Sequence, residues 1–138
     1  MRTTVFCLAL LILHLWASAE ATIKLKIEGV EKNGGKVYVS VFNEETGYKA
    51  REPFLSFILN ADNETIHRSM NLPAGHYVFS IYQDSNDNGK LDTNMVGIPR
   101  EKFGFSNYDG KNAPGSFNRH KVEIQDEKNE VVVKLHKI

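Results

Sequence analysis

The chain has 138 residues, 17 Lys and Arg against 17 Asp and Glu, and 41% hydrophobic side chains. That length fits one domain, and the apolar share is enough for a packed core rather than a disordered chain. Balanced charge gives no long-range pull toward nucleic acid or anionic lipid, so a nucleic-acid partner is not expected.

The first nineteen residues read as an address. Arg2 is followed by an almost unbroken apolar run from Val5 to Trp16, and Ala17-Ser18-Ala19 supplies the small-x-small pattern that signal peptidase requires. A membrane anchor needs roughly 20 apolar residues. This run is shorter, contains His14 and leads into polar sequence, so no membrane span is expected in the mature protein. Cleavage after Ala19 would remove Arg2 and leave a formal charge of −1 on residues 20–138, expected to form a single domain. It would also remove Cys7, the only cysteine, and with it any disulfide, thiol nucleophile or lipid attachment. The expected location is secreted or periplasmic. Without disulfides, a domain of this size depends on its core or on a bound ion.

From there the pattern has period two. Ile23, Leu25 and Ile27 alternate with Lys24 and Lys26, a half-buried strand. Asn33-Gly34-Gly35 marks a turn, and Lys36 to Phe42 is β-branched and aromatic on both faces, as in a central strand. Phe54 to Leu59 places Leu55, Phe57 and Leu59 on one side and is read as a strand, with a short helix as the alternative. Thr65 to Leu72 is a weaker run ending at Pro73-Ala74-Gly75. In His76 to Gln83, Tyr77, Phe79 and Ile81 face one way. Lys121 to Gln125 and Glu130 to Leu135 are two further strands joined by Asp126 to Asn129. About seven short strands with no convincing amphipathic helix predict an all-β fold, an antiparallel β-sandwich of immunoglobulin-like or prealbumin-like type.

Asp84 to Phe117 breaks the rhythm with five of the ten glycines, five asparagines and four aspartates. A connection this long without strand pattern is expected to be functional or tied down internally. Its opening places oxygen-bearing residues at relative positions 1, 3, 5 and 9 and glycine at position 6, the spacing of a calcium loop. Alternate residues of a tight curl aim at a common centre, and Gly89 permits the bend. Asp84, Asn86, Asn88 and Asp92 are therefore candidate side-chain ligands for Ca2+, with Lys90 contributing its main-chain carbonyl. Position 12 is Met95, not the usual glutamate. Any remaining ligand would come from Asp87, Asn94 or Glu101. Two certain carboxylates imply weak affinity, about 10⁻⁴ to 10⁻³ M, as in extracellular modules. The competing explanation is a metal-free turn, because Asp and Asn bond their own backbone and Asn88-Gly89 is a hairpin signal.

Leu72-Pro73-Ala74-Gly75-His76-Tyr77, the Asp84–Asp92 stretch, Asn94-Met95-Val96-Gly97-Ile98-Pro99-Arg100-Glu101 and Gly104-Phe105-Ser106-Asn107 together resemble an exported bacterial family, domain of unknown function 2141. The resemblance implies a secreted or periplasmic β-sandwich of bacterial origin and carries no established activity.

Phe103, Phe105 and Tyr108 either pin the long loop to the sandwich or, if a ring is exposed, offer Phe105 and Tyr108 as a surface for a glycan or peptide. Signals for catalysis are sparse. Ser106 lies outside a nucleophile-elbow pattern. His67, His76, His120 and His136 never reach zinc-ligand spacing, and Glu44, Glu45, Glu101 and Asp109 can pair as acid and base only if folding brings them together. Asn63-Glu64-Thr65 fits a glycosylation acceptor, relevant only to a eukaryotic secretory route. The leading expectation is an exported, non-catalytic binding or accessory module with a calcium-ordered loop and a protein or glycan ligand. An assembly protein using edge strands and a small secreted hydrolase are the alternatives.

Overall fold

The alternating runs of the sequence become eight strands and two short helices in the computed structural model, which describes residues 20–126 and 129–138. The strands are β1 (Glu20–Glu28), β2 (Lys36–Phe42), β3 (Leu55–Asn60), β4 (Ile66–Pro73), β5 (Gly75–Asp84), β6 (Phe103–Phe105), β7 (Val122–Ile124) and β8 (Asn129–Lys134). The helices are α1 (Glu45–Ala50) and α2 (Phe117–His120). The proposed signal segment lies outside the described residues.

The strands form two sheets. One has the order β4-β1-β8, the other β3-β2-β5-β6, with β7 paired to the start of β5. Each sheet turns one side of its alternation inward. Ile23, Leu25 and Ile27 of β1 and Val131 and Val133 of β8 meet Val37, Val39 and Val41 of β2 and Tyr77, Phe79 and Ile81 of β5. Leu55, Phe57 and Leu59 close the core along the β3 edge, where the Arg68 guanidinium of β4 lies 5.5 Å above the Phe57 ring.

Four features depart from the sequence reading. The sandwich is not wholly antiparallel, because β8 runs parallel to β1, pairing Ile23 with Asn129 through Glu28 with Lys134. The two C-terminal strands lie in different sheets, so their link is a crossover rather than a hairpin; Glu127 and Lys128 within it lie outside the described residues. Two helices are present, of six and four residues, too short to display a helical period. The long loop contains its own strand, β6, whose Gly104 faces the Lys134 carbonyl of β8 so closely that a β-carbon would collide with it. A backbone approach of that kind requires glycine.

A second apolar cluster sits on the outer face of the larger sheet. Phe42 and Val78 pack with Phe117 of α2, against Tyr48 of α1 and Phe105 of β6. The helices thus cover one end of that face.

Candidate functional site

Asp84 ends β5 and is fully buried, although it is ionisable. Its burial follows from what it holds. Oδ1 accepts the Asn88 backbone N–H at 3.1 Å and Oδ2 accepts that of Gly89 at 2.7 Å. The curl between them needs left-handed backbone at Asp87 (φ 55°) and Gly89 (φ 80°), so one carboxylate neutralises two converging amide dipoles in a tight bend.

The next turn closes on Asp92. Asn86 Nδ2 donates to Asp92 Oδ2 at 2.5 Å, and Asn88 Nδ2 lies 2.9 Å from both Asp92 oxygens. These amide contacts, Asn88 before Asn86, hold the Asp92 carboxyl below the usual aspartate range, with burial opposing them and the Lys90 and Arg100 charges adding to them. The structure therefore brings Asp84, Asn86, Asn88 and Asp92 together in one curl. Lys90 continues it, its backbone N–H donating to Asn88 Oδ1 at 3.1 Å.

Glu101 is the clamp. Nearly buried, it accepts the Ser85 N–H on Oε1 at 2.8 Å and the Asp92 N–H on Oε2 at 3.0 Å, fastening both ends of the curl to the strand that follows. The sequence offered Glu101 as one of three unranked candidates; its position between the second and ninth residues of the loop was not legible from spacing. Asn94 is used elsewhere. Its Oδ1 caps the Met95–Gly97 turn by accepting from Val96 and Ile98, leaving Met95 fully exposed at the tip. Asp87 is exposed and faces the pocket edged by Asn33, Lys36 and Asp62.

The donor set suits a hard, oxygen-seeking cation. In the curl the positive ends of two amide groups stand against Asp92. A side-chain amide carries oxygen and nitrogen in near-equivalent positions, so turning Asn86 and Asn88 about their terminal bonds would present oxygens where nitrogens now lie. Among the described residues no group of three or more His, Cys, Asp or Glu forms a ligand cluster; the loop's donors are half amide.

Phe105 and Tyr108 lie in an aromatic group instead of standing alone. Phe105 stacks on His120 at 5.3 Å, Tyr108 meets Phe103, Phe105, His120 and His136 at 5.7–5.8 Å, and the Tyr108 hydroxyl donates to the Asn112 carbonyl at 2.6 Å. At the centre His120 is fully buried, its Nε2 accepting the Gly115 N–H at 2.7 Å. Nε2 is therefore unprotonated, and the proton sits on Nδ1, 3.2 Å from the Asn107 carbonyl. Ser106 is also fully buried; its hydroxyl donates to the His120 carbonyl at 2.6 Å and accepts the Phe79 N–H at 3.1 Å. Ser106 and His120 are thus neighbours joined through backbone, not a nucleophile and its base.

The structure defines a two-sheet β-sandwich with a stitched Asp/Asn loop leaving the end of its central strand. The chain matches, over residues 25–132, the bacterial family described as "Uncharacterized protein conserved in bacteria (DUF2141)" and belongs to it. No curated protein and no solved structure matches the chain.

Proposed function

We propose that this protein is an exported, non-catalytic binding module whose Asp84–Asp92 loop is ordered by calcium. The observation that carries the reading is the convergence of Asn86 and Asn88 on Asp92 beside the anchored Asp84 carboxylate. Export is supported by the apolar run ahead of Ala17-Ser18-Ala19. In this reading Asp84, Asn86, Asn88 and Asp92 supply side-chain oxygens and Lys90 a carbonyl, while Glu101 holds the curl shut. Bound calcium would replace the amide-to-carboxylate contacts with a central charge and stiffen the long connection.

The test is thermal melting of residues 20–138 with a calcium titration and a chelator control. Calcium is expected to raise the melting temperature, the chelator to reverse the rise, and Asp92→Asn to remove the response while leaving the fold intact by circular dichroism. A wild-type melting curve that ignores millimolar calcium would leave the loop as a self-bonded turn.

A further inference from the structure

Beyond the Asp84–Asp92 curl the chain runs out into a narrow hairpin and returns. At its base the Arg100 N–H donates to the Asp92 carbonyl at 2.8 Å, and Thr93 bridges Pro99. Nearer the end the Asn94 N–H donates to the Ile98 carbonyl at 2.8 Å and the Gly97 N–H to the Asn94 carbonyl at 3.0 Å. Asn94 Oδ1 also holds the Val96 and Ile98 amides, so the tip is fixed by its own bonds.

What this hairpin carries outward is apolar. Met95 is 103% exposed, Val96 78% and Ile98 40%, and a β-carbon added at Gly97 would meet nothing within 4 Å. Contiguous apolar surface left in water marks a contact site.

The charges behind the tip are sorted. Lys90 and Arg100 are exposed, and neither lies in a salt bridge among the described residues. Asp84 and Glu101 are buried, and both Asp92 oxygens take amides from Asn86 and Asn88. Asp87, the exposed acid of the curl, faces the pocket edged by Asn33 and Asp62. The hairpin thus shows solvent an apolar end on a basic collar.

We propose that the Met95–Ile98 tip docks on an anionic lipid bilayer, its apolar side chains entering the headgroup boundary while Lys90 and Arg100 meet lipid phosphates, and that calcium in the curl strengthens the contact. This deepens the binding-module reading and, in its calcium part, rests on it. A protein partner fits less well. A stable interface buries about 800 Å² on each side, more than three side chains on a convex turn supply, whereas a fluid bilayer takes them up one by one. The reach agrees: Asp92 to Met95 spans about 10 Å of extended chain, the depth that interfacial segments enter, which sets Arg100 at the phosphates. Balanced overall charge supplies no long-range attraction, so docking depends on this patch. A divalent ion would cancel the Asp84 and Asp92 charges and leave Lys90 and Arg100 in excess over the buried Glu101.

Vesicle co-sedimentation of residues 20–138 tests this, with phosphatidylglycerol and phosphatidylcholine in equal parts against phosphatidylcholine alone, in millimolar calcium and in EGTA, and with melting curves alongside. Wild type in calcium is expected to bind the anionic vesicles several-fold more tightly than the neutral ones, and several-fold more tightly than it does in EGTA. Met95→Asp should lose at least tenfold yet keep the wild-type melting temperature and calcium response, because its side chain stands in water. Replacing Lys90 and Arg100 together by Gln should erase the preference for anionic lipid. Asp92→Asn should bind in EGTA at least as tightly as wild type does and ignore calcium; a calcium effect surviving in that variant would overturn the coupling. The docking is overturned if neither vesicle binds, if Met95→Asp binds unchanged, or if neutral vesicles serve as well. It is also overturned if the protein ignores vesicles and self-associates until Met95→Asp is introduced, which would give the tip to a second copy of the chain. A calcium rise in melting temperature without vesicle binding would overturn the docking alone. Docking lost in Met95→Asp, by a protein whose melting and binding both ignore calcium, would overturn the loop reading and its coupling alone.

Discussion

Two fully buried polar side chains away from the acidic loop show how this fold spends its hydrogen bonds. Gln83 Nε2 donates to the Glu31 and Gly34 carbonyls at 2.7 Å, and its Oε1 accepts the Glu31 N–H at 2.8 Å. One amide thus satisfies three backbone groups of the β1–β2 turn. Gln83→Leu would keep the volume and strand the Glu31 N–H and the Gly34 carbonyl, while the Glu31 carbonyl keeps the Gly34 N–H at 3.0 Å, so we expect a loss of about 2–4 kcal/mol in urea unfolding. Ser106→Ala strands the Phe79 N–H and the loop's tie to α2, with an expected loss of about 1–3 kcal/mol. Asp92 carries a pH signature. Its carboxyl is held below the ordinary aspartate value, so the folded loop binds that proton less readily than the unfolded chain. The resulting contribution is full above the ordinary value of about 3.9 and fades as pH falls through the lowered one. The Asn86 and Asn88 side-chain NH₂ resonances should titrate with a midpoint under about 3.9, and Asp92→Asn should abolish that transition; a midpoint at or above it would contradict the contacts. At this scale the sequence displayed Asp84, Asn86, Asn88 and Asp92 because their spacing is local. Gln83 looked like any polar residue at a strand end, since its partners lie about fifty positions away.

At the scale of elements, strand faces were legible and strand partners were not. The inward sets Ile23/Leu25/Ile27 and Tyr77/Phe79/Ile81 follow from a period of two, which the pleat imposes on any half-buried strand. The parallel placement of β8 beside β1 depends on a crossover between sheets, and no local pattern encodes it. β6 escaped notice because three residues, one a glycine, are too few for alternation. That glycine is what lets β6 approach β8. Gly104→Ala would drive a β-carbon into the Lys134 backbone carbonyl and separate the two strands; we expect a loss of about 2–4 kcal/mol by denaturant melting, with the Phe103–His136 amide bonds losing hydrogen-exchange protection first. Equal protection in the variant and wild type would show that the pair can shift to admit the methyl group. The stacked Tyr38 and Tyr82 rings belong to the same scale. They lie forty-four positions apart, and only register makes them one surface.

At the scale of the molecule, residues 20–138 contain no cysteine, so stability rests on the inter-sheet core and on whatever fastens the long Asp84–Phe117 connection. Glu101 fastens it from one side, by bonding the Ser85 and Asp92 amides, and calcium in the curl would fasten it from the other. A site of about 10⁻⁴ to 10⁻³ M affinity in 10 mM calcium would add about 1.4–2.7 kcal/mol by mass action, a rise of about 5–15 °C in melting temperature for a domain of this length. Glu101→Gln separates the two fasteners. Its amide nitrogen cannot accept from a backbone N–H, so one of the two clamps opens and the apo protein should melt lower. The curl's own oxygens remain, so calcium should still raise the melting temperature by a comparable increment. The measurement is a pair of calcium titrations followed by melting, one on wild type and one on Glu101→Gln. Loss of the whole calcium increment in Glu101→Gln would make Glu101 itself a ligand, standing where position 12 of the loop carries Met95.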